Sequence, residues 1–173
     1  MINPLCLLLS FCSIPALFSQ CNRDDSAIVK DIDGNIYGTV LIGDYLWIAE
    51  NLKTTRFNDG FSIPCVKDQS IWLRSDTAAY CYYQNNVNYG DTLGFLYNWY
   101  AVNSGKLCPT GWKIPSDSDW IQIEGGSSGF WWTSTEASAS SAYYRSLIYS
   151  FEQVARDTHP KRMGFSVRCI KNK

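Results

Sequence analysis

Apolar positions along this chain fall into two regimes. From Pro4 to Phe18 they run almost unbroken, and no charged side chain stands before Arg23. Beyond residue 27 they come in short runs divided by Gly, Asn and Asp. The first stretch is shorter than the ~20 residues of a membrane-crossing helix, and Pro4 and Pro15 would interrupt a buried one. It is expected to be the apolar part of a secretory signal over residues 1–20, although Met1, Ile2 and Asn3 supply no Lys or Arg. In the second regime, Ala27 to Val29 and Asn35 to Ile42 flank Asp33-Gly34, a hairpin signal. Gly43-Asp44 then turns the chain into a third strand, Tyr45 to Ala49. The spacing of Asp31, Asp33, Gly34 and Asn35 has the look of a calcium loop, but the closing Glu is missing, so a turn is expected.

From Ala79 to Val102 aromatics crowd the chain: Tyr80, Tyr82, Tyr83, Tyr89, Phe95, Tyr97, Trp99 and Tyr100. Interleaved Asn and Gly favour strands and ordered loops there. One helix is expected, near residues 116–124, because Ser116 and Asp119 have the spacing of a capping box and Gly125-Gly126 ends it. Four strands should follow: Phe130 to Thr135, Ala142 to Tyr149, Gln153 to Arg156 and Phe165 to Ile170. Short strands, mainly antiparallel, around one short helix define an α+β domain.

Composition narrows the function. The chain is 173 residues long with a net charge of −1, 46% hydrophobic and 18% charged. That excludes a disordered chain and offers no electrostatic footprint for nucleic acid. The 7 Trp and 11 Tyr are the outlying feature, and such rings serve cores and contact surfaces alike. The leader ends Leu17-Phe-Ser-Gln-Cys21, similar to the lipid-attachment box of bacterial lipoproteins, with Gln20 where a small residue is usual. An acidic linker, residues 21–27, follows. An outer-membrane or cell-surface lipoprotein lipidated on Cys21 is the expectation, and soluble secretion the alternative. Acyl chains would then be its one tie to a membrane. Cys6 and Cys12 leave with the leader. Cys65, Cys81, Cys108 and Cys169 remain, an even set with three possible pairings in an exported domain. A zinc site is disfavoured, since no CxxC spacing occurs and there is a single His.

Residues 28–173 closely resemble the Fibrobacter succinogenes major paralogous domain of exported bacterial proteins. The matching blocks include Asp31 to Asn35, Trp47 to Thr55, Asn58-Asp-Gly60, Ala79 to Tyr83, Leu96 to Val102, Leu107 to Trp112, Ile114 to Asp117, Trp132 to Glu136 and Gly164 to Cys169. The resemblance implies a C-type lectin-like fold, with the last strand returning to the middle of a sheet beside the segment around Cys108. It favours a Cys108–Cys169 disulfide, leaving Cys65 and Cys81 as a second candidate pair. Between Trp120 and Phe130 the family carries a much longer segment, the region that in lectin-like folds builds a ligand-bearing loop. Here only Gly125 to Gly129 stand in its place, which implies a shortened domain.

Enzyme signatures are thin. His159 stands in a polar stretch that reads as a solvated turn. Glu50, Glu124, Glu136 and Glu152 could supply a glycosidase pair, but blocks such as that around Glu50 more often fix turns. No nucleophile elbow, phosphate loop or dinucleotide fingerprint occurs, and no cofactor is implied. The expected function is non-catalytic recognition of an extracellular glycan or protein. The surface would comprise Trp131, Trp132, Glu136, Tyr143, Tyr144, Arg145, Tyr149 and Arg156, with alternation along strands turning every second side chain outward. The alternatives are an extracellular enzyme acting on polysaccharide and a structural or degenerate envelope protein.

Overall fold

A computed structural model describes residues 28–122, 129–147 and 154–172. Asp31 organises its first hairpin, in which β1 (Val29–Lys30) pairs antiparallel with β2 (Ile36–Tyr37). The Asp31 carboxylate accepts the backbone N–H groups of Asp33 and Asn35 at 3.0 and 2.9 Å. It also accepts the Asn35 amide at 2.8 Å and the buried Tyr37 hydroxyl at 2.7 Å. Gly34, at φ 87°, supplies the left-handed residue of the turn. Asp33 faces away and accepts the hydroxyls of Thr54 and Thr55 and the Arg56 Nε. The acidic positions that look like a calcium loop are thus committed to shaping the turn and clipping it to residues 54–56.

Asp33 carries a pH prediction. Burial pushes its carboxyl up, but the Thr55 N–H, Arg56 and the two threonine hydroxyls outweigh that and leave it below its ordinary value of 3.8. A carboxylate held lower in the folded state stabilises fully above its unfolded value and loses that contribution as pH falls through the folded one. Urea midpoints should therefore fall as pH drops below about 4, and Asp33→Asn should lose less between pH 5 and pH 3 than the wild type. An unchanged pH slope in that variant would show that Asp33 is not the group responsible.

The chain continues through β3 (Thr39–Ile42) and β4 (Tyr45–Ile48), then three single turns of α-helix among short strands. These are α1 (Gln69–Trp72), β5 (Tyr80–Cys81), α2 (Gly90–Leu93), β6 (Leu96–Tyr97) and α3 (Trp99–Val102). Asp68 caps α1 by accepting the N–H groups of Ser70 and Ile71. Asn98 caps α3 through the Ala101 N–H at 3.1 Å. The strands expected between Ala79 and Val102 are present as β5 and β6. The helical turn α3 was hidden there because its cap and its burial (Trp99, Ala101 and Val102 are all core) outweigh the local punctuation.

The helix expected near residues 116–124 is corrected. Its capping box forms, with Asp119 accepting the Ser116 N–H at 2.8 Å and Ser116 Oγ accepting the Asp119 N–H at 3.3 Å. What it caps is one turn of 3-10 helix, Asp119–Gln122. The cap satisfies the first donors, and Trp120 swings into the core, its ring 5.1 Å from that of Trp47; residues 123 and 124 of the expected span lie outside the described residues.

The remaining strands are β7 (Trp112–Lys113), β8 (Gly129–Glu136), β9 (Ser141–Leu147), β10 (Ala155–Pro160) and β11 (Ile170–Lys171). β10 lies further along than the expected 153–156 because it is an exposed edge strand of polar residues, which carries no apolar signal. Phe165 and Ser166 bridge singly to Tyr97 and Trp131, so only Ile170 and Lys171 of that region join a sheet. One sheet has the order β3-β4-β11-β7, another β10-β9-β8, and β5-β6 forms a two-stranded ribbon. β11 stands in the middle of its sheet, with Ile170 opposite Trp47 on one side and Lys113 on the other. That placement brings Cys169 to Cys108, whose Cα atoms are 6.0 Å apart across a disulfide. The architecture is therefore short, mostly antiparallel strands with few helices, compatible with an α+β domain.

Two apolar clusters hold these layers. The larger gathers Tyr37, Leu52, Tyr97, Trp99, Trp132, Val167 and the disulfide. The smaller packs Trp47, Trp120 and Trp131 with Leu147 and Ile170. Among the described residues no helix is long and apolar enough to cross a membrane. The leader and Cys21 lie outside the described residues.

Candidate functional site

The sheet β10-β9-β8 divides the expected surface between two faces. Trp131 pairs with Arg145 and Arg145 with Arg156, while Trp132 pairs with Tyr144 and Tyr144 with Asp157. Alternation therefore puts Trp131, Tyr143, Arg145 and Arg156 on one face, Trp132 and Tyr144 on the other. Both faces are covered where the tryptophans stand, so neither indole is a stacking platform. Trp132 is 0% exposed and donates its indole N–H to the Tyr97 carbonyl at 2.9 Å. Trp131 is 4% exposed and donates to Asn51 Oδ1 at 2.8 Å. Tyr144 is half-buried against Phe130, His159 and Phe165, and its hydroxyl is pushed up by burial and then by the Asp157 carboxylate. Glu136 is ion-paired with Lys161, a buried ammonium that also donates to the Ala139 carbonyl and sits 4.9 Å from the Trp99 ring centre. Tyr149 lies outside the described residues.

What stays together at the surface is Tyr143 and Arg156, backed by buried Arg145. The residue that joins them is Asp117. Arg145 Nε donates to its Oδ1 at 2.9 Å and an Arg145 Nη to its backbone carbonyl at 2.8 Å. Arg156 Nε donates to Oδ2 at 2.6 Å, and its guanidinium carbon lies 3.8 Å from the Tyr143 ring centre. One carboxylate thus orients two cations, and the assembly keeps a net positive charge. The hydrogen bond to Asp117, then that to Tyr143, raises the Arg156 guanidinium above its ordinary value. Sequence reasoning missed Asp117 because its place directly after Ser116 reads as helix-start chemistry. The signal for it lay in two strand arginines that needed an acceptor, one buried and one exposed.

Other candidates part company here. His159 is a strand residue of β10 packed edge-on against Phe165 at 5.6 Å, not a solvated turn. Cys65 and Cys81 are free thiols. Cys65 bridges to Tyr80, so Cys81, one residue on, alternates to the opposite side of β5 and the second pairing is not made. Burial pushes the Cys81 thiol up to about 11, with Cys65 adding to it. Glu50 accepts the Gly38 N–H at 2.9 Å, the turn-fixing role its block implied. Its neighbour Asn51 receives both Trp131 and, at 3.2 Å, Arg168 Nε. Burial draws the Arg168 guanidinium down to about 10, with Glu50 opposing. Glu124 and Glu152 lie outside the described residues. Among the described residues no three metal-ligating side chains converge.

Residues 40–129, just over half of the chain, match the family model described as Fibrobacter succinogenes major domain. The match ends where β8 begins, so the Tyr143–Arg156 surface stands outside it. No curated protein and no solved structure matches the chain.

Proposed function

Since this chain belongs to the Fibrobacter succinogenes major domain family, we propose that it works as a non-catalytic recognition module, exported and held at the cell surface through Cys21. Its ligand is an extracellular glycan or protein, and its contact surface is Tyr143 with Arg156. The observation that carries this is the stacking of the Arg156 guanidinium on Tyr143 while Asp117 fixes its Nε. A planar cation held flat on a ring loses little freedom when a ligand arrives, and it offers N–H donors beside an apolar face. The carboxylates of the described glutamates are engaged by Gly38 and Lys161, which supports binding over hydrolysis.

The scaffold is proposed to be C-type lectin-like, shortened between Trp120 and Phe130. Support comes from β11, which stands in mid-sheet between β4 and β7 beside the Cys108–Cys169 bond.

The test is a panel of polysaccharides and envelope proteins assayed for binding and for hydrolysis. Wild type should bind without turnover. Tyr143→Ala and Arg156→Ala should each weaken that binding by about tenfold or more, with both variants still unfolding cooperatively, since neither side chain belongs to the buried core. Turnover without a tightly bound product would sink the proposal in favour of an enzyme.

A further inference from the structure

A second surface, inside the family-matched region, is independent of Tyr143 and Arg156. Tyr83 and Tyr89 are 47% and 37% exposed, and their rings meet edge to face at 5.8 Å. Between them run Gln84, Asn85, Asn86, Val87 and Asn88, all exposed. Two of these, Gln84 and Asn85, hold left-handed backbone at φ 52° and 54°. Consecutive non-glycine residues in that region cost energy and persist where the surroundings impose them, a pattern that concentrates at ligand-contact segments.

The base under this ridge is rigid. Tyr82, next to Tyr83, packs edge-on against Phe95 at 5.1 Å, and Phe95 stacks on Tyr80 at 4.9 Å. Asn85 donates to the Lys67 carbonyl at 3.0 Å, and Asn51 donates to the Leu93 carbonyl at 2.9 Å. Gly94, at φ 72°, lets the chain pass so close to residues 51 and 52 that a Cβ there would lie 2.7 Å from the Leu52 carbonyl oxygen. The two rings are presented from a segment tied down at both ends.

The chemistry of the ridge selects its ligand. Its polar groups are amides and phenols, which donate and accept without charge. The charged side chains beside it already have partners: Asp91 pairs with Lys53 at 3.1 Å, and Lys67 lies over the Tyr82 ring at 5.6 Å. The ridge's own groups bring no cation to a phosphate or an acidic chain. They fit a ligand with flat C–H faces and many hydroxyls. We propose that Tyr83 and Tyr89 form a contact site for an uncharged polysaccharide chain, the rings stacking on pyranose faces and Gln84, Asn86 and Asn88 meeting hydroxyls.

Isothermal titration of the full chain with cellohexaose, xylohexaose and N-acetylchitohexaose tests this, with polygalacturonate as the charged comparison. At least one neutral hexasaccharide should bind. Tyr83→Ala and Tyr89→Ala should each weaken it by about tenfold or more, Tyr83→Phe should retain it, and all three should keep a cooperative unfolding transition. Arg156→Ala should leave this binding intact. The proposal is overturned if none of the three neutral sugars binds, if polygalacturonate is preferred, or if binding survives the Tyr83→Ala/Tyr89→Ala double variant. Sensitivity to Arg156→Ala alone would overturn it while favouring the Tyr143–Arg156 surface.

Discussion

Replacing Cys108 and Cys169 together by alanine should lower stability by roughly 4 kcal/mol, the chain-entropy value for a loop of this span. The bond closes a separation of 61 residues, and both half-cystines are core, at 2% and 0% exposure. For a domain of this size the melting temperature should drop by about 8–16 °C. Reductant should bring the wild type towards the double variant and leave the variant itself unmoved. A melting temperature unchanged within about 2 °C in both experiments would mean that the bond adds nothing.

Removing Asp117 should have a comparable cost for an electrostatic reason. Arg145 is buried, at 6% exposure, and Asp117 receives it at both carboxylate and carbonyl. Asp117→Ala leaves that guanidinium without its counter-charge, which costs about 3–5 kcal/mol in buried pairs. Arg156 is exposed and can turn to water, so its own pairing adds little to stability. The diagnostic is non-additivity: Asp117→Ala/Arg145→Met should recover a large part of the loss, because the stranded charge is gone. If the double variant is as unstable as the sum of the singles in urea unfolding, then Asp117 and Arg145 act separately and the pair does not organise this face.

How far the sequence disclosed this molecule depended on the range of the interaction involved. The Asp33-Gly34 hairpin was readable because a turn is decided within a few residues. The Cys108–Cys169 bond came through the family resemblance, since no local pattern links those positions. Trp131 and Trp132 went the other way. Alternation correctly assigns them to opposite faces of β8, but whether a face meets solvent is decided by what packs on it. Here Tyr97 and Phe165 cover one indole, and Asn51 and Arg168 the other. The helix expected after the Ser116 capping box differed for a related reason: a local motif marks where a helical turn begins, while packing such as that of Trp120 decides the kind of turn, here 3-10 over Asp119–Gln122. Asp117 was hard to read because its partners lie 28 and 39 positions downstream.

The mid-sheet position of β11 also bears on the order of folding. Ile170 must find both Trp47 and Lys113 before β4 and β7 belong to one sheet. Neither contact is local, so loop closure over most of the domain precedes the reward. Until then β4 exposes an unpaired edge bearing Trp47, the kind of surface on which partly folded chains associate. Oxidative refolding should accordingly be slow and concentration-sensitive, with Cys108 and Cys169 joining only after the strands between which β11 inserts have been gathered.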